Sequence, residues 1–293
     1  MAYVQPPKKT PLLTRTKFEY ELVDCGNRQK IEKFGKVMMS RPCPVATWPP
    51  KKQHTSKTVT FIKNIKTTAW EGQSDLPETW NIQIGHITAE LKFSSNGQVG
   101  LFPEQFDNWQ YIQSKVAENS RRKLKILNGF GYTGMATLFA STKNTEVVHV
   151  DGAKSAINWA KRNAKLSGLE NNKIRWICDD VLDFMEREVR RGNKYDGIIL
   201  DPPAFGRGAK KHWKIERDLP VLIEAMGKLL VQHPLFVILT CHASDHFSAQ
   251  DLADMLQSLP PFRHKEAEKL QLSINSRKGN NLPASFGVRV ANQ

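Results

Sequence analysis

The 293-residue chain has no apolar run longer than five residues, at 235–239. A membrane-spanning helix needs about 20, so none is expected. The first residues, MAYVQPPKKTPLL, lack the apolar stretch of roughly 7 to 15 residues that marks a secretory signal, which points to a cytoplasmic protein. Cysteine is scarce: Cys25, Cys43, Cys178 and Cys241 form no C-x-x-C pair and have no histidine cluster at ligand spacing. Neither a disulfide framework nor a structural metal site is expected. Internal repeats and long low-complexity tracts are also missing. With 40% hydrophobic residues and seven tryptophans, the chain can bury a sizeable core, which excludes wholesale disorder.

Charge is abundant and unbalanced. Lys and Arg number 43 against 29 Asp and Glu, a formal charge of +14. Residues 1–66 carry +10, residues 67–114 carry −5 and residues 115–293 carry +9. Such a balance suits a polyanionic partner, nucleic acid ahead of a membrane surface. It also suits an ordinary solvated basic surface.

The periodicity changes near residue 104. Before it, short β-branched and aromatic runs alternate with turn signals, at 18–23, 57–63, 80–84 and 87–93, which predicts a small β-rich N-terminal domain over residues 1–103. Pro42, Pro44, Pro49 and Pro50, followed by KKQHTSK, read as an exposed basic connection. From Glu104 onward, strands at 123–127, 146–150, 173–177, 195–200 and 235–240 alternate with segments of helical period. That alternation predicts a second domain over 104–293, of α/β class, with a doubly wound and mostly parallel sheet.

Four strand ends carry chemistry. The first runs into Asn128, Gly129, Phe130, Gly131, Tyr132, Thr133 and Gly134, a glycine-rich turn before a helix. Such a turn lets backbone N–H groups approach a polar ligand, and it also serves as a tight packing turn. The second ends in Asp151, 17 residues past Gly134, where a carboxylate can accept from ribose hydroxyls or cap the following helix. At the third, Asp180 can accept from an adenine amine while Val181 packs on the ring; an acid there is also a common cap. The fourth delivers DPPAFGRG, Asp201 to Gly208, in which two prolines make a rigid turn with free carbonyls beside a carboxylate.

In LNGFGYTG, HVD, DDVLDF and DPPAFGRG, with GLFPEQ at 100–105 just before them, the chain resembles class I S-adenosylmethionine-dependent methyltransferases. Within them it resembles the branch of bacterial large-subunit ribosomal RNA methyltransferases, some of which make 5-methylcytosine. The resemblance implies a Rossmann-like seven-stranded sheet and S-adenosylmethionine as cofactor. It places Gln105, the turn from Asn128 to Gly134, Asp151, Asp180, Val181, Asp201 and Pro202 around that cofactor. Asn128 stands where many relatives have an acid.

Two acceptor chemistries remain open. Related cytosine-C5 enzymes place a nucleophilic cysteine after the fifth strand, the position of Cys241, and Asp201 would then assist at the base. A buried, inert Cys241 would instead leave Asp201 and Pro202 to orient an exocyclic amine of adenine or guanine. Pro203, Phe205, Arg207, Lys210 and Lys211, with Trp213 nearby, read as a basic and aromatic loop for RNA, ribosomal RNA first. His242 and His246 receive no catalytic role. An NAD-dependent oxidoreductase using the glycine turn, and a non-catalytic RNA-binding protein, are the rival classes.

Overall fold

The computed structural model describes residues 17–51, 58–63, 67–72, 74–207, 212–242 and 246–292, with the backbone alone for Arg207 and His212. Strands β1 (Tyr20–Gly26), β2 (Gln29–Phe34) and β3 (Val37–Pro42) form an antiparallel meander. β4 (Val59–Lys63) adds to β3 in parallel and β5 (Thr68–Glu71) closes this five-stranded sheet. A hairpin of β6 (Thr79–Ile84) and β7 (Ile87–Lys92) follows.

Alternation in the sequence does not reveal β2, β3 or β5. The reason is plainest in β2, whose inward face carries Glu32 as well as Phe34. Glu32 is fully buried, with Arg41 Nη2 at 2.7 Å and Lys30 Nζ at 3.3 Å. Burial opposes its ionisation, but these two cations hold its pKa below the usual carboxylate range. A charged inward position hides a strand from a hydrophobicity pattern. The proline-rich connection is also less exposed than its composition suggests: Cys43 and Ala46 are buried with Leu22, Cys25, Ile274 and Leu282.

The second half is built as α1 (Phe106–Glu118), β8 (Leu124–Gly129), α2 (Met135–Ala140), β9 (Thr145–Asp151), α3 (Lys154–Leu166), β10 (Ile174–Cys178), α4 (Val181–Arg190) and β11 (Gly197–Leu200). A small hairpin, β12 (Phe205–Arg207) and β13 (His212–Lys214), precedes α5 (Ile215–Leu229), β14 (Phe236–Cys241), α6 (Ala249–Ser258), β15 (Ala267–Ile274) and β16 (Leu282–Val290). One seven-stranded sheet results, in the order β10-β9-β8-β11-β14-β16-β15. Its first five strands are parallel, and β16 pairs antiparallel with both β14 and β15.

Every residue of β11 and β14 is buried, as expected of central parallel strands covered on both faces. The chain winds outward from β8 to β10 and then returns to β11, so its direction of travel across the sheet reverses between β8 and β11. A crevice opens beyond the C-terminal strand ends at such a reversal.

Among the described residues, the N-terminal strands share their apolar core with the second half. Phe34, Met39, Ile82, Ile84 and Leu91 share one apolar cluster with Trp109 of α1, Leu138 and Phe139 of α2 and Ala164 of α3. At the other end, Asn280 donates to the carbonyls of Cys25 and Pro49, each at 3.0 Å, and so ties β1 to the β15–β16 turn. Among the described residues, no helix is long and apolar enough to cross a membrane.

Candidate active site

A cavity of about 1080 Å³ lies beyond the strand ends, and Asp151, Asp180 and Asp201 all line it. These carboxylates follow from β9, β10 and β11, which the parallel register holds side by side across β8. Residues from the segment before the sheet, Leu101, Phe102 and Gln105, complete one wall.

The glycine-rich turn is held in an unusual backbone shape. Phe130 (φ 57°) and Tyr132 (φ 48°) both adopt left-handed conformations, costly for residues with side chains, and both line the cavity. The cost is offset from below. Thr133 donates to the Gly100 carbonyl at 2.7 Å, and the Asp151 carboxylate accepts from the Tyr132 N–H at 2.8 Å.

Beneath the turn, Asn128 donates to Thr137 Oγ1 at 2.8 Å, and that hydroxyl meets His149 Nδ1 at 2.8 Å. Burial holds the His149 ring neutral, with its pKa down to about 3. A Cβ on Gly131 would stand 2.4 Å from this ring, so only glycine fits there. Gly129 and Gly134 serve packing: a Cβ would come within 2.7 Å of Val181 at the first and 2.9 Å of Ala160 at the second.

Asp151 also accepts from the Ala153 N–H at 2.8 Å. Its burial raises its pKa, against the pull of those two N–H groups. Asp180 caps α4 by accepting from the Asp183 N–H at 3.0 Å, and Val181 lines the cavity beside it. Next to them Arg187 pairs with Asp179, and both face the cavity.

Asp201 is the most heavily bonded group of the site. Its Oδ1 accepts from Thr240 Oγ1 at 2.5 Å and lies 3.2 Å from His242 Nδ1, while Oδ2 accepts from Gln105 Nε2 at 3.2 Å. Burial opposes its ionisation, but His242, Thr240 and Gln105 together keep its pKa below the usual carboxylate range. Gln105 is itself fixed by Asn108 at 2.6 Å, and Asn108 by Arg289 at 2.8 Å. His242 Nε2 lies 3.2 Å from Glu104 Oε1.

The structure places several of these residues differently from the sequence expectation. Cys241, read as a possible nucleophile, is 1% exposed, packs in the apolar core and is not among the cavity-lining residues. Burial, with a smaller contribution from the Asp201 charge, raises its pKa to about 11, the reverse of what a nucleophilic thiolate needs. The cause is strand alternation, which turns Thr240 and His242 toward the cavity and Cys241 away from it.

Trp213 is buried rather than free to stack on a base; its Nε1 donates to the Pro203 carbonyl at 2.6 Å, so that carbonyl is an occupied acceptor. Pro202 is buried and does not line the cavity, whereas Pro203 does. Phe205, 69% exposed, stands on the β12–β13 hairpin outside the cavity wall. Lys210 and Lys211 lie outside the described residues.

Sequence reasoning missed Glu104, Thr240, His242 and Arg187. The signal for Thr240 and His242 was the period of two at the end of β14, usable only once the β11–β14 register is known. Leu200 opposite Leu239 puts Asp201 beside Thr240.

A doubly wound sheet with a glycine turn and three carboxylates around its switch-point crevice defines a nucleoside-binding α/β domain of methyltransferase type. The profile of the S-adenosylmethionine-dependent methyltransferase family matches residues 53–249, and the chain belongs to that family. It is 30% identical to the SAM-dependent methyltransferase of Agrobacterium tumefaciens, whose crystal structure superposes with a TM-score of 0.87 over 100% of this chain and 99% of that one.

Curated relatives include ribosomal RNA large subunit methyltransferase K of Neisseria meningitidis serogroup B, 29% identical over 54% of this chain and 47% of its own length. Ribosomal RNA large subunit methyltransferase I of Aeromonas salmonicida is 36% identical over 46% of this chain and 35% of its own length. The chain thus spans less than half of the length of these two ribosomal enzymes.

Proposed function

We propose that this protein transfers a methyl group from S-adenosylmethionine to a base in RNA, with ribosomal RNA as the substrate class. The observation that carries the reading is the convergence of Asp151, Asp180 and Asp201 on one cavity beside the glycine turn. The names of the ribosomal relatives supply the substrate class.

The residues present fit the cofactor. The acceptor atoms of Asp151 suit a ribose diol, Asp180 and Val181 an adenine edge and face, and the Asn128–Gly134 turn with Gln105 the methionine end. When bound, S-adenosylmethionine supplies a methyl group made electrophilic by its sulfonium. The protein's task is then to place a nucleophile in line with it.

Asp201 is the group we assign to the acceptor. Its position at the end of β11, its ionised state and the inward turn of Cys241 favour a base nitrogen that donates a hydrogen bond to the carboxylate. They disfavour a carbon activated by thiolate addition. Phe205 and the basic segment with Arg207, Lys210 and Lys211 would meet the RNA outside the cavity. The N-terminal part, residues 1–103, would brace the catalytic part, residues 104–293, through their shared apolar cluster.

Labelled S-adenosylmethionine incubated with total ribosomal RNA, followed by nucleoside mass spectrometry, tests the reading. A methylated amine or ring nitrogen supports it, 5-methylcytosine overturns the assignment of the acceptor atom, and no product on any RNA overturns the RNA assignment. Calorimetry with S-adenosylhomocysteine against NAD separates the cofactor class from the oxidoreductase alternative.

A further inference from the structure

His242 has a carboxylate at each of its ring nitrogens. Nδ1 lies 3.2 Å from Asp201 Oδ1, and Nε2 lies 3.2 Å from Glu104 Oε1. A neutral imidazole has one donor and one acceptor nitrogen, so one of the two contacts would set a lone pair against a carboxylate. Only the doubly protonated ring donates to both. Glu104 belongs to the 3-10 turn Pro103–Gln105, where the chain enters α1, and its side chain is only 8% exposed. The bridge therefore joins that turn to the ends of β11 and β14.

We propose that His242 is a positioning residue, an imidazolium strut that aims the Asp201 carboxylate and keeps it ionised by holding it against Glu104. This rests on Asp201 serving the methyl acceptor, as argued above. Three further features favour the strut.

Among the described residues, the charged groups that face the ring are Asp201 and Glu104. Burial of the ring disfavours its charge, yet these two override burial and raise its pKa to about 10. The ring also continues a line of aromatic contacts, 5.7 Å to Phe102, 5.4 Å from Phe102 to Tyr132, and so to the glycine-rich turn. His242 thus touches both the acceptor carboxylate and the packing that supports the cofactor turn. Gln105 holds the other oxygen of Asp201 from the residue next to Glu104, so one turn of chain secures both sides of the carboxylate.

The test uses the full chain. In protein labelled with ¹⁵N-histidine, one ring should give the doubly protonated pattern at pH 8, where an unperturbed histidine is neutral. That signal should vanish in His242→Gln, and in Glu104→Gln the ring should lose its second proton at a lower pH than in the wild type. A neutral His242 ring at pH 8 overturns the proposal.

In single-turnover methyl transfer to ribosomal RNA, His242→Ala and Glu104→Gln should each lower the rate about 10-fold or more. The Kd for S-adenosylhomocysteine should change by less than about threefold, and His242→Gln should retain more rate than His242→Ala because an amide still donates to Asp201. The double variant should be no slower than His242→Ala, since both changes break one bridge. A wild-type rate in His242→Ala overturns the positioning role. If the wild-type protein methylates no RNA, the function proposed above fails while the ring spectrum still decides the strut, so the two failures are distinguishable.

Discussion

Thr240 donates a 2.5 Å hydrogen bond to Asp201 across the junction of β14 and β11, and the next residue, Cys241, faces the opposite side of the sheet. This end of the cavity is therefore built around a carboxylate. A thiol lies one residue away in sequence and outside the cavity.

Replacing Cys241 should then leave methyl transfer nearly intact. We expect Cys241→Ala to keep its rate within about threefold, and to lose about 1 kcal/mol of stability because the side chain fills the core. Single-turnover kinetics and thermal unfolding measure the two effects separately. A loss of activity beyond 100-fold in a folded variant would restore the covalent mechanism.

Asp151 predicts a pH dependence of cofactor affinity. Its pKa is raised by burial, so its ionised form costs stability, a cost absent at low pH and present once pH rises through the folded value. A ribose diol would donate to the ionised form. S-adenosylhomocysteine should accordingly bind more weakly as pH falls toward 4, and Asp151→Asn should bind at least about 10-fold more weakly with a flatter pH profile, as calorimetry over pH 4 to 8 can read.

His149 should contribute to acid sensitivity. Its folded pKa of about 3 lies far below the unfolded value near 6.5. The unfolded chain takes up a proton that the native ring refuses, so stability falls as pH drops through 6.5 and continues to fall until about 3. His149→Gln should lower the stability at pH 7 and flatten its decline between pH 6 and 4. Urea unfolding at several pH values gives both; an unchanged slope would count against a neutral buried ring.

Gly131→Ala forces a Cβ to within 2.4 Å of His149 Cε1. Overpacking of this kind costs roughly 1 to 3 kcal/mol, and here it would also displace the glycine-rich turn. We expect S-adenosylhomocysteine binding to weaken at least about 10-fold. Adding His149→Ala should recover part of the loss by opening the space; no recovery in the double variant would show that the ring is not the obstacle.

The basic segment after Phe205 is testable through salt. Lys210→Glu with Lys211→Glu should weaken RNA binding and make its dependence on salt shallower, by about 0.7 to 0.9 in logarithmic slope for each phosphate that is no longer neutralised. S-adenosylhomocysteine binding should not change. Equal slopes for both proteins would remove this segment from the RNA path.

Much of the catalytic half was readable in advance. The five parallel strands fall within one or two residues of their expected starts and ends, because fully buried strands are short apolar runs bounded by turn signals. The N-terminal half was read less completely. β2 hides behind the buried Glu32, whose cost is met by Arg41 and Lys30 from neighbouring positions that a linear pattern does not connect. The apolar residues of this half also pack onto α1, α2 and α3, contacts that a linear pattern does not record.

The sequence by itself determined the order of the strands along the chain, the glycine turn and the carboxylates at the strand ends, since each depends on local period and local residue type. Only the tertiary structure decided which of these groups share the cavity. Strand register set Asp201 beside Thr240, and alternation along β14 sent Cys241 into the core and His242 toward Glu104, a residue 138 positions earlier in the chain. A hydrogen bond between such distant residues depends on how the sheet closes, and no local pattern records that.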